Sequence, residues 1–414
     1  MSAERSRTNL DRLFRSESFK AVASLARAFN DFERAEDAVQ DAYVRALEQW
    51  RDRGIPDRPE AWIYKTARNF AIDRLRREKN ASEKYRILAR LQDLANADTP
   101  FEEGQMDDRL AMIFTATHPA LSEDTRIVLT LRFAAGLTVG EIASALLVAE
   151  TAVAQRLVRA KRKIRDAHIP FTVPASSALP ERLEDVLRIL YLIFNEGYAS
   201  STHANRLRVE LCDEALRLAG TLELLMPSEP EVGGLRALML FHDARRSTRA
   251  DENEVPVLLQ DQDRTKWDTR KILEGVNVLE RALRHNGVGP YQIEAALAGE
   301  HARAQRWEDT NWFAIRAWYD RLLAIAPSAI VALNRAVAIA YTDGNACGLA
   351  AMDALEANGG LELYAPFYGA RAELLARLER SEEAAGQYRK AMDLTRSAAE
   401  RRHFESRLQK LSCG

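Results

Sequence analysis

Apolar residues return every three or four positions along most of the chain, the spacing of helices that bury one face. In "AEDAVQDAYVRALEQW" (35–50), Ala38, Ala42, Val44 and Leu47 fall near that period and leave Asp37, Gln40, Asp41 and Arg45 towards solvent. In "AETAVAQRLVRAKRKIR" (149–165), Val153, Leu157, Ala160 and Ile164 form a single stripe. Long Ala/Leu/Arg/Glu stretches with sparse Gly and Pro favour helix over strand. No run of β-branched residues alternating with polar ones is long enough for a sheet. The expected fold class is all-α.

Breakers and caps divide this pattern into blocks. The first, residues 9–90, holds "FKAVASLARAF", the helix of 35–50, a turn at "RGIPDRP" (53–59) and the basic "AWIYKTARNFAIDRLRREK". Residues 91–118 read as an acidic connector, least structured over "LANADTPFEEGQMDDR". The second block, 119–169, opens with Ser122, Glu123 and Asp124, which put acids in a first helical turn. In "LTVGEIASALL" Thr138 is placed to cap a short helix while Glu141 reaches back to its amide. The 149–165 helix follows, and Pro170 and Pro174 stop it. The third block, 178–412, is helix after helix, broken at Pro227/Pro230, 249–262, "NGVGP" (286–290), Pro327 and "NGG" (358–360). "YDRLLAIAPS", "MDALEANGG" and "YRKAMDLTRS" begin 33 and 36 residues apart, each after a helix rich in small residues. Helix pairs at a period near 34 residues are the tetratricopeptide pattern.

Charge sharpens the picture. The net charge of -2 over 414 residues hides a nearly balanced, slightly basic first part and an acidic remainder. Residues 65–90 carry nine Lys/Arg against three acids, a local patch suited to nucleic acid. Cys212, Cys347 and Cys413 have no motif spacing, which argues against a disulfide framework or a zinc site. No signal peptide or membrane-length apolar run is visible, so a cytoplasmic protein without a membrane partner is expected.

The 149–165 helix, preceded by the short helix 139–147, has the layout of a helix-turn-helix whose second helix enters the major groove. Gln155, Arg156, Arg159, Arg162 and Lys163 project from its polar side; early ones would meet base edges and later ones phosphates. An amphipathic helix with a solvated basic face is the plainer reading, and Leu147 stands where such turns usually place glycine. In the first block, Trp62, Tyr64 and Phe70 interleave with Lys65, Arg68, Arg74, Arg76, Arg77 and Lys79. Cations hold a phosphate backbone and aromatic faces stack on unpaired bases. Burial of Trp62, Ile63, Phe70 and Ile72 in a core is the alternative.

The order of these parts resembles a bacterial sigma factor of the extracytoplasmic-function type. "AEDAVQDAYVRALEQW" is similar to that family's core-polymerase-binding helix and "AWIYKTARNFAIDRLRRE" to its promoter-melting segment. "LSEDTRIVLTLRFAAGLTVGEIASALLVAETAVAQRLVRAKRKIR" is similar to its fourth conserved region. The resemblance implies that Asp37, Gln40, Asp41 and Arg45 contact core RNA polymerase. It implies that Lys65, Asn69, Asp73, Arg74, Arg76, Arg77, Lys79 and Asn80 bind the opened strand at the minus-ten element. Gln155, Arg156, Arg159, Arg162 and Lys163 would read the minus-thirty-five element of promoter DNA. Ala149, Ala152 and Ala154 depart from the Ser, Thr or Lys common there and remove potential phosphate or base contacts.

A minimal factor of this type ends near residue 170. "LYLIFNEGYASS" (190–201), "LMLFHDARR" (238–246) and "LLQDQDRTKWD" (258–268) resemble the subgroup with a large tetratricopeptide-like C-terminal extension, thought to replace a separate anti-sigma partner. Regulation in cis, through contact of extension and sigma domains, is the corresponding expectation. Asn195, Glu196, Tyr198, His242, Asp243, Arg245, Asp261, Asp263 and Arg264 are its candidate regulatory residues. Asn195, Glu196 and Tyr198 sit at the polar end of an apolar helix, with a turn expected at Gly197. These groups either satisfy one another as caps and pairs or form a shared polar site. No catalytic set, metal-ligand spacing or phosphate-cradling loop appears, so neither an enzyme nor a cofactor is expected. The rival readings are a duplex-binding transcriptional activator with a helical-repeat sensory domain and a helical-repeat adaptor.

Overall fold

The computed structural model describes residues 21–29, 31–77, 110–135, 137–175, 177–199, 206–251, 257–285, 287–395 and 397–412. Among them the regular elements are helices, and no strand occurs. The all-α expectation holds. The chain forms two compact units, Met1–Ala199 with Asn205–Leu225, and Ser200–Ala204 with Met226–Gly414.

The first unit begins with α1 (21–29), α2 (Phe32–Arg53) and α3 (Pro59–Arg77). Asp31 caps α2, its carboxylate accepting from the Glu33 and Arg34 amides, and Gly54 ends it at φ 79. The buried stripe of α2 is Ala35, Ala38, Val39, Ala42, Ala46 and Trp50, facing Ile63, Ala67 and Ala71 of α3. Val44 and Leu47, expected on that stripe, are exposed at 54% and 52%. They lie six and nine positions after Ala38, which turns them to the opposite side of a 3.6-residue helix. Trp62, Tyr64, Phe70 and Ile72 are half-buried, and Trp62 packs edge-on to Trp50 at 5.3 Å.

Residues 110–116, placed at the end of the acidic connector by the sequence, form helix α4 instead. Met112, Ile113, Phe114 and Ala116 are almost fully buried, so this apolar run belongs to a core. It is followed by α5 (Glu123–Phe133), α6 (Val139–Ala145) and α7 (Glu150–Asp166). The expected stripe of α7 is buried throughout, Val153, Leu157, Ala160 and Ile164 being at most 6% exposed. Full burial of such aliphatic side chains contributes roughly 1.5–3 kcal/mol each for the larger ones. Two further helices, α8 (Leu179–Ala199) and α9 (Arg206–Leu225), pair with each other and complete this unit. They begin the third block of the sequence yet pack with the second. Arg126 binds Asp185 at 2.7 Å, Arg188 binds Glu123 at 2.6 Å, and Arg217 donates to the Ala134 carbonyl at 3.1 Å. Helix α8 continues through Gly197, where a turn was expected; Gly197 is buried and Tyr198 stacks on Phe194 at 5.3 Å, so packing carries the helix past the glycine.

The second unit contains α10 (Pro230–Ala244), α11 (Thr269–Leu283), α12 (Pro290–Arg303), α13 (Trp312–Ile325), α14 (Ala329–Asp343), α15 (Asn345–Asn358), α16 (Ala365–Arg377), α17 (Ser381–Leu394) and α18 (Ala398–Ser412). Each helix rests chiefly on neighbours one or two places along the chain. The three repeated stretches end α13, α15 and α17, the second helices of successive pairs, as the tetratricopeptide reading requires. Small residues set the spacing: Gly348 meets Ala340, and a Cβ there would sit 2.5 Å from the alanine methyl.

Candidate nucleic-acid interface

The helix-turn-helix is built by α6 and α7 on α5. Thr138 caps α6 as expected: its hydroxyl accepts from the Glu141 amide at 3.2 Å, and its own amide donates to Glu141 at 2.8 Å. The turn keeps its geometry without glycine. Leu147 adopts φ 54, and the Val148 amide donates to the Ala143 carbonyl at 3.0 Å. The leucine side chain is 66% exposed, so no burial offsets the left-handed backbone.

With the apolar stripe of α7 buried, Gln155, Arg159, Arg162 and Lys163 are exposed. Gln155, Arg159 and Lys163 are four apart and share one face. Arg162 folds back on Asp166 at 3.3 Å. Arg156 differs from its neighbours: it is half-buried and paired with Asp124 of α5 at 3.2 Å. In the first block, Lys65, Asn69, Asp73 and Arg74 are exposed along α3, and Arg74 binds Asp37 of α2 at 2.8 Å. Arg76 and Arg77 lie in the last turn of α3, whereas Lys79 and Asn80 lie outside the described residues. A shallow pocket between α2 and α3 is lined by Phe29, Arg34, Ala38, Asp41, Phe70, Ala71 and Arg74. Gln40, Asp41 and Arg45 are exposed on α2 beside the exposed Val44 and Leu47.

One contact set was invisible in the sequence. Glu36 of α2 accepts from Arg132 at 2.6 Å and from Lys161 at 2.5 Å, joining the first block to the helix-turn-helix. Burial pushes its carboxyl up, but the Lys161 charge and hydrogen bond, then those of Arg132, outweigh this and hold it below the usual range. Beside it Phe32 stacks on Phe133 at 4.6 Å and meets Phe171 edge-on at 4.4 Å. Lys161, on the same basic helix as Arg159 and Lys163, is therefore committed to Glu36. The partners lie 96 and 125 residues from Glu36, beyond the reach of any local pattern.

Comparison with known proteins supplies the remaining observation. Residues 15–81 match sigma-70 region 2, residues 111–164 match sigma-70 region 4, and residues 182–283 match a family of unknown function, DUF6596. The chain belongs to the extracytoplasmic-function sigma factors with a large C-terminal extension. An uncharacterised protein of Rhizobium meliloti (strain 1021) is 39% identical over 397 residues, covering 95% of this chain and 93% of its own. No solved structure matches. Among the described residues of this sigma factor, no helix is long and apolar enough to cross a membrane, and no cluster of metal-ligating side chains occurs.

The candidate regulatory residues of the sigma factor fall into both units. Asn195, Glu196 and Tyr198 lie on α8 of the first, and the other six lie in the second. Asp243 is buried and clamped by Arg246 and Lys271, so it fits the plainer reading of a satisfied pair. Asp263 is exposed and caps a short turn through Thr265, and Asp261 is exposed nearby. His242, Arg245 and Arg264 come together with His301 and Trp307, which the sequence did not single out.

Proposed function

We propose that this sigma factor engages core RNA polymerase through the exposed side of α2, reads the minus-thirty-five element with α7 and holds the opened minus-ten strand along α3. Gln40, Asp41 and Arg45 supply polar contacts to the polymerase, and Val44 and Leu47 supply apolar area. Asp37, held by Arg74, stands at the edge of the same surface. Gln155 and Arg159 address base edges, with Arg162 and Lys163 on phosphates. Lys65, Asn69, Asp73, Arg74, Arg76, Arg77, Lys79 and Asn80 serve the melted strand. The observation that carries this reading is the sidedness of α7: its apolar stripe is buried while Gln155, Arg159 and Lys163 stand exposed in one row.

The extension regulates these domains in cis. The ion pairs of Asp185 and Arg188 with α5 support a physical route from the extension to the helix-turn-helix. The test is run-off transcription with core polymerase, comparing the full chain with residues 1–225, a cut that keeps α8 and α9. Discrete transcripts requiring the protein are expected, with different output from the two forms. Absence of core-dependent initiation by either form refutes the sigma assignment of roles, and equal regulated output in cells refutes regulation by the remainder.

A further inference from the structure

The second unit contains a small pocket open to solvent. Phe241, His242 and Arg245 come from the C-terminal end of α10, and Ala298, His301 and Ala302 from α12. Leu259 and Trp267, from the segment between α10 and α11, complete the lining. Five of these eight side chains are apolar, the other three carry nitrogen, and none is a carboxylate.

The polar groups are arranged as donors. Arg245 Nη2 donates to His242 Nδ1 at 3.1 Å, which fixes the neutral ring with its proton on Nε2. Burial, with Arg245 and Arg249 beside it, pushes His242 down to about 3, and burial with Arg264 and Arg245 pushes His301 down to about 4. Both rings are thus uncharged at neutral pH. His301 stacks on Trp307 at 5.7 Å, and its Nδ1 has no hydrogen-bond partner. Behind the lining, Arg264 Nη1 donates to the His301 and Ala304 carbonyls at 2.6 and 2.8 Å, with its guanidinium 4.8 Å from the Trp267 ring. Arg264 Nη2 is buried and without a partner.

Among the described residues, no carboxylate of the lining cancels this positive charge. Asp243 is consumed by Arg246 and Lys271, and Asp309 by Arg306. Glu308 and Asp309 act on Arg264, behind the wall, and on Arg306. Among the described residues neither Arg245 nor Arg264 makes an ion pair. A buried polar atom left unpaired costs roughly 1–3 kcal/mol, so retaining His301 Nδ1 unpaired at the pocket wall is expensive unless something completes it. A single guanidinium at the lining suits a monoanion, and the aromatic walls suit an apolar body.

We propose that this pocket binds a small organic carboxylate with an apolar body, the carboxylate held by Arg245 with an imidazole N–H of His301, and the body against Phe241, Leu259 and Trp267. Arg264 is a positioning residue that orients α12 and Trp267 and adds positive potential. The test is titration calorimetry and thermal unfolding of the full chain with benzoate, hexanoate, inorganic phosphate and neutral benzyl alcohol. Benzoate or hexanoate should bind one per chain and raise Tm with concentration, while phosphate and benzyl alcohol bind at least tenfold more weakly. Arg245→Met should weaken carboxylate binding tenfold or more, and Ala298→Leu, which fills the pocket, should abolish it. Arg335→Met, on a distant surface ion pair of the same unit, should leave it unchanged. Absence of binding by both carboxylates at 10-millimolar scale, undiminished binding by folded Ala298→Leu, or tighter binding of phosphate would overturn the proposal.

Discussion

Replacing Glu36 by glutamine removes the charge that joins α2 to the helix-turn-helix while keeping the side chain's shape. Hydrogen bonds to charged groups are worth roughly 1.5–3 kcal/mol, whereas fully exposed ion pairs are worth about 0–1. The side chains of Glu36, Arg132 and Lys161 are 22%, 29% and 23% exposed, so solvent screens the network in part. The cost of the substitution to this contact is therefore about 1–2 kcal/mol, a factor of about 5–30 in the balance between docked and undocked blocks. Its pH dependence has a definite sign. Because the folded pKa of Glu36 is depressed, its stabilisation is complete above the ordinary carboxylate range and is lost as pH falls through the folded value. Spin labels at Val44→Cys and Val158→Cys, both exposed sites, with Cys347→Ser and Cys413→Ser, report the separation of α2 and α7. The expected result is a longer, broader distance distribution for Glu36→Gln at neutral pH, approached by the parent protein on acidification. Identical distributions at all pH values would refute the clasp.

Three further outcomes are expected. Leu147→Gly relieves the left-handed leucine and should stabilise the chain by about 1 kcal/mol, read as a rise in Tm of a few degrees; a lower Tm would contradict this. Arg159→Ala should cost about 1–3 kcal/mol in promoter affinity and alter base preference, whereas Arg156→Ala, releasing only the Asp124 pair, should preserve that preference in a competition assay. Burial, with Glu231 beside it, raises Glu294 to about 7, so the folded state gives up stability as pH rises from about 4.5 through 7. Denaturant titration should show a loss of roughly 2–3 kcal/mol over that window, and Glu294→Gln should flatten the curve; an unchanged slope would remove Glu294 as its source.

Local signals were legible where a short stretch determines the outcome. Thr138 and Glu141 read as a capping box because both partners lie within one turn, and the stripe of α7 read correctly because 3.6-residue spacing is enough to define it. Val44 and Leu47 were misplaced because apolar identity outweighed angle: they are hydrophobic residues facing outward. Leu147 counted against the helix-turn-helix because the sequence does not show that a hydrogen bond from the Val148 amide to the Ala143 carbonyl holds its turn despite the backbone cost. The extension reads as a separate block from residue 178, after Pro170 and Pro174, but Asp185, Arg188 and Arg217 bind the preceding helices through side chains on distant segments. The pocket around Arg245 was visible only in part, since His301 joins it across about sixty residues and nothing in "AGEHARAQRW" marks that histidine as a pocket residue.

The order of packing in the second unit has a mechanical consequence. Helices that rest mainly on their chain neighbours store stability as a series of nearest-neighbour terms, so an opening at one end does not have to spread. The carboxylate pocket uses α10 and α12, while α18 closes the far end, mainly on α17. Fraying of the last pair can therefore proceed with the pocket intact, and ligand protection against hydrogen exchange should fade along the stack from α10 to α18.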